Sequence, residues 1–333
     1  MQLVIAVCCF RRPEGVRRLS RSLGAVVVPV GIERPLDLLL LDNDPAGSLS
    51  PLDDGVMDLL SGHLRVSIEH VGLGDISAAR NVALRRASGH DLLAFLDDDE
   101  WPDPDWLVQL FATMVRHDAD VVVGPVVGSV HAGAPRWQRQ LSAVAYGADG
   151  DLLCEGITGN VLMRTAAIRD VAIRFRSELG VSGGEDQVFF REAVAAGVQI
   201  RYSAYAMVYE SVPPERLTVR YVLERALRTG NTLGLLDGHL MRSSGTVAAR
   251  TAKAAMWAAR GVLRIAASPV TVRFRRTGDD RWSAAVIGAS EIARAAGMVL
   301  GLVGLQQQFY GSGRRISRWR GSAQHLVTTE SVT

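Results

Sequence analysis

Short apolar runs recur along the first 127 positions: LVIAV (3–7), LDLLLL (36–41), LRVSI (64–68), LLAFL (92–96) and VVVGPVV (121–127). Each has the length of a buried strand. Between them, residues 14–24, 76–87 and 104–117 carry apolar positions at helical spacing. Asp103 as N-cap and Pro104 at the first helical position predict the start of the third helix. Strands alternating with helices at this spacing predict a parallel α/β sheet. Ligands of such sheets bind beyond the carboxyl ends of the strands.

Beyond this region the pattern changes. Residues 128–215 read as mixed strand and loop. GITGNVLMR (156–164) predicts a strand entered through a glycine turn, and GGEDQVFFREAVAAG (183–197) a loop followed by a helix starting near Asp186. From about 217 the chain reads as helical and basic, with no internal repeat. In 246–270, steps of about 100° per residue place Arg250, Lys253, Arg260 and Arg264 within one narrow arc, with Trp257 beside it.

Composition adds one feature, which is charge asymmetry. The 333-residue chain has a formal net charge of only +2. Residues 241–333 hold 14 Lys and Arg against 4 Asp and Glu, and residues 1–240 hold 23 against 31. The basic segment predicts an anionic partner, nucleic acid or an anionic membrane surface. No nucleic-acid-binding motif accompanies the charge, so the membrane is the preferred partner. The three cysteines, two of them adjacent at Cys8–Cys9, form no disulfide framework and fit a reducing compartment. MQLVIAVCCF lacks the basic start and cleavage site of a signal peptide. The apolar stretch AAGMVLGLVGL (295–305) is about half a bilayer span, which predicts no spanning helix.

Polar residues gather where the predicted strands end. Cys8, Phe10 and Arg11 follow the first, Asp42, Asn43 and Asp44 the second, and Asp97, Asp98 and Asp99 the fourth. No GxGxxG follows the first strand, which disfavours dinucleotide binding. The acidic run DDDEWPD (97–103) has two readings. It converges on a hard divalent cation, Mg²⁺ or Mn²⁺, shared with a phosphate ligand, or it is a solvated turn before a helix. Trp101 and Trp106 line a sugar site or pack in the core, and the isolated His117, His131 and His239 have no ligand spacing. Arg225 and Arg228, three apart on a helix face, either hold a diphosphate or pair with Glu224 along with Arg220.

The segment GLGDISAARNVALRRASGHDLLAFLDDDEWPDPDWL (72–107) resembles the family 2 glycosyltransferases, which have the GT-A fold. IAVCCFRRPEGVRRLSRSL (5–23), LLLLDNDPAGS (39–48), TGNVLMR (158–164) and GGEDQVFF (183–190) resemble further segments of that family, in the same order over roughly residues 3–232. The nearest flavour is the bacterial enzymes that build exopolysaccharide repeat units on a lipid carrier. The resemblance implies a catalytic domain over 1–215, with a nucleotide-binding half (1–127) and an acceptor-binding half (128–215), and a basic helical extension over 216–333. It implies an inverting hexosyl transfer from a nucleotide sugar, UDP-linked, to a lipid-linked saccharide at the cytoplasmic face of the membrane, with Mg²⁺ or Mn²⁺.

Roles follow for matching positions. Asp42 accepts from the nucleobase, with Cys8 and Phe10 lining its pocket. Arg80 reaches the base or the diphosphate. Asp97 contacts the ribose and the metal, Asp99 the metal, and the middle Asp98 orients its neighbours. Arg11, Asn160, Glu185, Arg225 and Arg228 complete the donor side. Asp186 is the general base or else caps its helix, with Glu185 as rival base. Glu100 faces solvent and Asp103 caps the next helix. A sugar-phosphate nucleotidyltransferase shares the acidic site but needs a glycine-rich phosphate loop that CCFRRPEG does not supply. A non-catalytic nucleotide-sugar-binding scaffold is the other alternative.

Overall fold

The computed structural model describes residues 1–49, 64–131, 133–180, 183–236, 238, 244–274, 282–308 and 315–318. His239 and parts of the basic segments, 275–281 and 319–321, lie outside the described residues. In chain order the elements are β1 (Leu3–Cys9), α1 (Pro13–Gly24), β2 (Leu36–Asp42), β3 (Leu64–His70), α2 (Ile76–Arg86), β4 (Leu92–Asp97), β5 (Glu100–Pro102), α3 (Trp106–His117), β6 (Val121–Val123) and β7 (Val126–Ser129). They continue with α4 (Arg136–Leu141), β8 (Ala143–Val144), β9 (Leu152–Leu153), β10 (Asn160–Arg164), α5 (Thr165–Asp170), α6 (Glu185–Ala195), β11 (Ile200–Tyr202) and β12 (Val208–Ser211). Last come α7 (Val219–Leu235), α8 (Ser244–Phe274), α9 (Ser283–Leu302), β13 (Leu305–Gln308) and β14 (Arg315–Arg318).

The chain forms two compact units. The first comprises Met1–His131, Leu141–Gly180 and Glu185–Val212. Its main sheet runs β3-β2-β1-β4-β10-β6-β11-β9. Strands β3, β2, β1 and β4 are mutually parallel, while β10 lies antiparallel between β4 and β6. Every residue of β1 is buried, as a central strand covered on both faces requires. The edge strand β3 exposes four of its seven positions. Two apolar layers result, one packing Val16, Leu19 and Leu23 of α1 with Trp106, Leu107 and Leu110 of α3. The other packs Ala79, Val82 and Ala83 of α2 with Phe189, Phe190 and Ala193 of α6. A second sheet has the order β5-β12-β7-β8.

Two local expectations are corrected. The run 121–127 is two strands in two sheets, β6 and β7. Pro125 supplies no N–H for a ladder, so the strand breaks there. The helix expected from 104 starts at Trp106 with Asp105 as its N-cap residue. Asp103 does not cap it. The backbone oxygen of Asp103 accepts from Trp106 N in a turn (3.0 Å), and its carboxylate accepts from the Tyr209 hydroxyl (3.3 Å).

The second unit comprises Ala132–Gln140, Val181–Gly184 and Pro213–Thr333. Its first segment is drawn out of the expected 128–215 half. Gln138 Nε2 donates to Leu217 O (2.9 Å), and Trp137 N donates to Ser283 Oγ (3.3 Å). Helices α7 and α9 touch backbone to backbone. A Cβ at Gly297 would lie 1.9 Å from Leu227 O, and one at Gly230 1.9 Å from Arg294 O, so only glycine permits this approach. Thr218 caps α7 by accepting from Tyr221 N (3.2 Å). The apolar stretch expected over 295–305 belongs to a longer helix, α9. Its 20 residues are long and apolar enough to cross a membrane by length and composition, with 44% of the relevant window buried. The charges within it are matched by neighbours. Glu291 pairs with Arg260 and Arg264 (3.2 and 3.3 Å), and the Arg294 guanidinium lies over Trp257 (5.3 Å).

Candidate active site

The parallel register decides which chain segments meet. Cys8 pairs with Leu41 and Asp97, and Cys9 pairs with Asp42. The ends of β1, β2 and β4 therefore form one edge, as the strand pattern predicts. Along the acidic run the burial alternates. Asp97 and Asp99 are partly open, while Asp98 and Glu100 are buried. Asp98 and Asp99 form the turn between β4 and β5, and the alternation comes from the contacts each carboxylate makes there.

The two buried carboxylates organise the turn. Asp98 Oδ2 accepts from Phe10 N (2.8 Å) and Oδ1 from Arg12 Nη1 (2.7 Å). Burial pushes its pKa up to about 6 against the pull of Arg12. It thus clips the β1–α1 loop to the turn, and the close approach needs Gly15, whose Cβ would lie 2.2 Å from Asp98 O. Glu100 is the clearest correction. It is buried, and its Oε2 accepts from Asp97 N (2.7 Å). Burial, then the neighbouring Asp97, raises its pKa well above the usual carboxylate range. It faces inward because β5 pairs there with β12.

Arg80 joins the turn to α6. Asp75 caps α2, accepting from Ser77 N (2.8 Å) and Ala78 N (3.2 Å), and the buried Arg80 follows one turn later. Its guanidinium pairs with Glu185 and, at 3.4 Å, with Asp97. Burial works against that charge, but Glu185 and then Asp97 outweigh it and raise the pKa. The adjacent Asn81 exchanges two hydrogen bonds with the Phe175 backbone (2.8 and 2.9 Å). Phe175 stacks on Phe189 of α6 with ring centroids 4.1 Å apart. The AARN motif thus holds the helix that carries Glu185 and Asp186.

Asp186 sits in the first turn of α6, and its Oδ1 accepts from Gln187 N (2.8 Å). Burial first, then the neighbouring Glu185, pushes its pKa up to about 7, while Arg80 holds it down. A carboxyl with a pKa near neutrality is poised to take and give a proton. Glu185, its rival, is committed to Arg80 and has a buried Oε2 without a hydrogen-bond partner.

Other expected residues fall differently. Asn160 is fully buried and its amide is used up. Nδ2 donates to Pro125 O (2.9 Å) and Ala206 O (2.7 Å), and Oδ1 accepts from Trp106 Nε1 (2.7 Å). It ties the two sheets together and is not placed to bind a donor. Trp106 is core, and Trp101 stacks on Tyr209 beneath Arg18. Asp42 accepts from Asp44 N (3.1 Å), Ser48 Oγ (3.2 Å) and Leu49 N (2.9 Å), closing its own loop. Arg11, with a positive φ of 56°, forms a two-pronged pair with Asp44 (3.0 and 3.1 Å). Phe10 is exposed beside it, and the buried Cys8 thiol is pushed up to about 12 by burial, which keeps it neutral. Arg225 and Arg228 lie on α7 in the second unit, with Arg220 paired to Glu224 (3.0 Å).

Sequence reasoning missed Arg12 and Tyr146. Arg12 stands beside Arg11, and only the loop geometry shows which of the two meets the acidic turn. Burial, then the Asp186 charge, raises the Tyr146 pKa and keeps the phenol neutral. It lies in 128–155, a stretch without readable periodicity.

For a divalent cation the donor set is open. Among the described residues no group of three or more His, Cys, Asp or Glu converges on one point. Asp97 and Asp99 offer two partly open carboxylates at the sheet edge. That fits Mg²⁺ or Mn²⁺, which need one or two carboxylates and take the rest of their shell from phosphate and water. It does not fit a closed structural cage.

Comparison with known proteins gives a consistent picture. The family described as Glycosyl transferase family 2 matches residues 4–174. The succinoglycan biosynthesis protein ExoM of Rhizobium meliloti (strain 1021) is 34% identical over 320 residues, covering 94% of this chain and 96% of ExoM. A pre-mycofactocin glycosyltransferase of Mycobacterium tuberculosis is 26% identical over 213 residues, 59% of this chain and 39% of its own length. The crystal structure of S. aureus TarS 1-349 in complex with UDP shares the fold, with a TM-score of 0.51 at 19% identity over 97% of this chain and 98% of that one.

Proposed function

The chain belongs to glycosyl transferase family 2, and from that membership we propose an inverting transfer of a hexose from a UDP-linked sugar to a lipid-linked saccharide in exopolysaccharide synthesis. The observation that carries the mechanism is the tether from Asp97 through Arg80 to Glu185, which ties the acidic turn to the helix turn bearing Asp186. The succinoglycan role in the name of the 34% identical relative supports the polysaccharide assignment.

In this reading Asp97 and Asp99 hold the ribose and a divalent cation. Bound there with the donor diphosphate, Mg²⁺ or Mn²⁺ would offset charge on the leaving group. Asp98 and Glu100 do no chemistry. They fix the backbone of the turn so that the outward carboxylates are presented in one orientation. Asp186 accepts the proton of the attacking acceptor hydroxyl from the face opposite the leaving diphosphate, which inverts the anomeric carbon. Arg80 draws the Asp186 pKa down against burial and steadies Asp97. Cys8 and Phe10 line the base pocket, and Asp42 shapes its loop while offering its remaining acceptor capacity to the base.

The second unit supports a peripheral place at the cytoplasmic face of the membrane, by a different face of α8 from the one its charges predict. Arg260 and Arg264 turn toward Glu291. The outward stripe is Ala252, Ala255, Met256, Ala259, Val262, Leu263 and Ala266, with Leu263 69% exposed and Met256 54%. An exposed apolar stripe with cations along its margin suits the interface of an anionic bilayer.

The test is a panel of nucleotide sugars scored by thermal shift with and without Mn²⁺, followed by donor hydrolysis. A UDP-sugar is expected to raise Tm in a Mn²⁺-dependent way, and Asp99→Ala to lose both that shift and hydrolysis. Stabilisation by no nucleotide would overturn the reading.

A further inference from the structure

Arg12 is the last residue before α1, with Pro13 at the first helical position. One of its nitrogens, Nη1, lies 2.7 Å from Asp98 Oδ1 and 3.1 Å from Asp99 Oδ2. A single cationic nitrogen thus bridges two successive carboxylates, one buried and one partly open. The loop is held in place independently of that bridge. Phe10 N donates to Asp98, Val16 N donates to Arg12 O, and Gly15 packs against the Asp98 carbonyl. The Arg12 side chain is 42% exposed.

The two contacts are unequal. Asp98 is buried and cannot lose its cation without leaving a charge poorly matched in the interior. Asp99 is nearer solvent and can exchange one cation for another. We propose that Arg12 is a resident counter-cation of the acidic turn, which holds Asp99 until a divalent ion takes it and so sets how tightly that ion binds. This rests on reading Asp99 as a metal ligand. When Asp99 turns to the ion, Arg12 keeps Asp98 as its partner and the loop stays clipped. Arg12 is a positioning residue. It acts on the reaction only through the availability of Asp99.

The electrostatic sign is unambiguous. A positive charge a few ångström from a cation site weakens that site, and its removal strengthens it. With screening at ordinary ionic strength the expected change is about tenfold. The experiment measures Mn²⁺ affinity of the intact protein, without nucleotide, from the electron paramagnetic resonance signal of the free ion. Arg12→Ala should bind Mn²⁺ about tenfold more tightly than the wild type. Its metal-free Tm should fall and recover when Mn²⁺ is added. Arg12→Lys retains the charge and should bind close to wild type, a control that also serves if the alanine variant folds poorly. Asp99→Asn should lose the site.

Equal or weaker binding by a folded Arg12→Ala variant overturns the proposal while leaving the metal reading intact. A purely structural Arg12 would give that result, a lower Tm with no gain in affinity. No Mn²⁺ binding by wild type or Arg12→Ala overturns both. Binding undiminished in Asp99→Asn places the ion elsewhere and likewise removes the basis for both.

Discussion

Two arginine–carboxylate clusters in this molecule use similar residues under opposite conditions. In the first unit Arg80 lies between Glu185 and Asp97 with its side chain 6% exposed. In the second, Arg260 and Arg264 share Glu291 with side chains 58% and 30% exposed. Burial separates them. Water reaches the two arginines, so loss of Glu291 leaves solvated cations at little cost. No water substitutes for Arg80 beside Glu185, itself 8% exposed, so removal of either of these two strands a charge in the interior. The buried cluster can therefore shift the proton affinity of a neighbour, Asp186, and the exposed one cannot.

The largest expected effect comes from Asp186. Asp186→Asn should slow transfer by about 10³-fold, within the range for a lost general base, with donor affinity unchanged by calorimetry. The pH profile carries the same signature. Transfer should rise as pH increases through about 7, where Asp186 ionises. Stability should move the other way. A carboxyl whose folded pKa is raised contributes stability below its unfolded pKa, and this is lost as pH rises through the folded value. Tm should fall between pH 5 and 8, less so in Asp186→Asn.

Next is Arg80→Met, expected to destabilise by about 3–5 kcal/mol in denaturant unfolding, because Glu185 is left buried and unpaired. Since Arg80 holds the Asp186 pKa down, any residual activity should have its rising limb displaced to higher pH. An unchanged limb would mean that the tether does not reach Asp186.

Leu263→Glu tests the outward face of α8. It should weaken binding to anionic vesicles by about tenfold in flotation, from loss of one buried apolar side chain and gain of a repelled charge. Transfer to a water-soluble acceptor should be unaffected. The smallest effect belongs to Glu291→Gln, under about 1 kcal/mol, as for other screened pairs. A loss comparable to that of Arg80→Met would erase the distinction between the clusters.

Much of the frame is legible in the residues. The apolar runs give β1 to β4, and the polar residues after them give the functional edge, because buried strands must be apolar and chain reversals must not. The helices around 14–24 and 76–87 follow for the same reason. The break at Gly124–Pro125 escaped a reading of apolar runs, since both halves of 121–127 are equally apolar. Asn160 was misplaced because an amide for donor binding and an amide for sheet stitching look the same in one dimension.

The sequence by itself determined that carboxylates cluster after a buried strand, that an acidic α/β region precedes a basic helical one, and that the segments of a known family occur in order. The tertiary structure decided which carboxylate faces which way. Asp98 turns inward to Phe10 N and Arg12, and Glu100 to Asp97 N. Arg12 rather than Arg11 meets the turn because β1 lies beside β4. Arg260 and Arg264 of α8 lie against Glu291, leaving its alanine and leucine stripe outward. Local propensity depends on neighbours a few residues away, and composition can be counted. The sign and strength of a charge's effect depend on the groups that burial brings within a few ångström, and those come from strands and helices far apart in the chain.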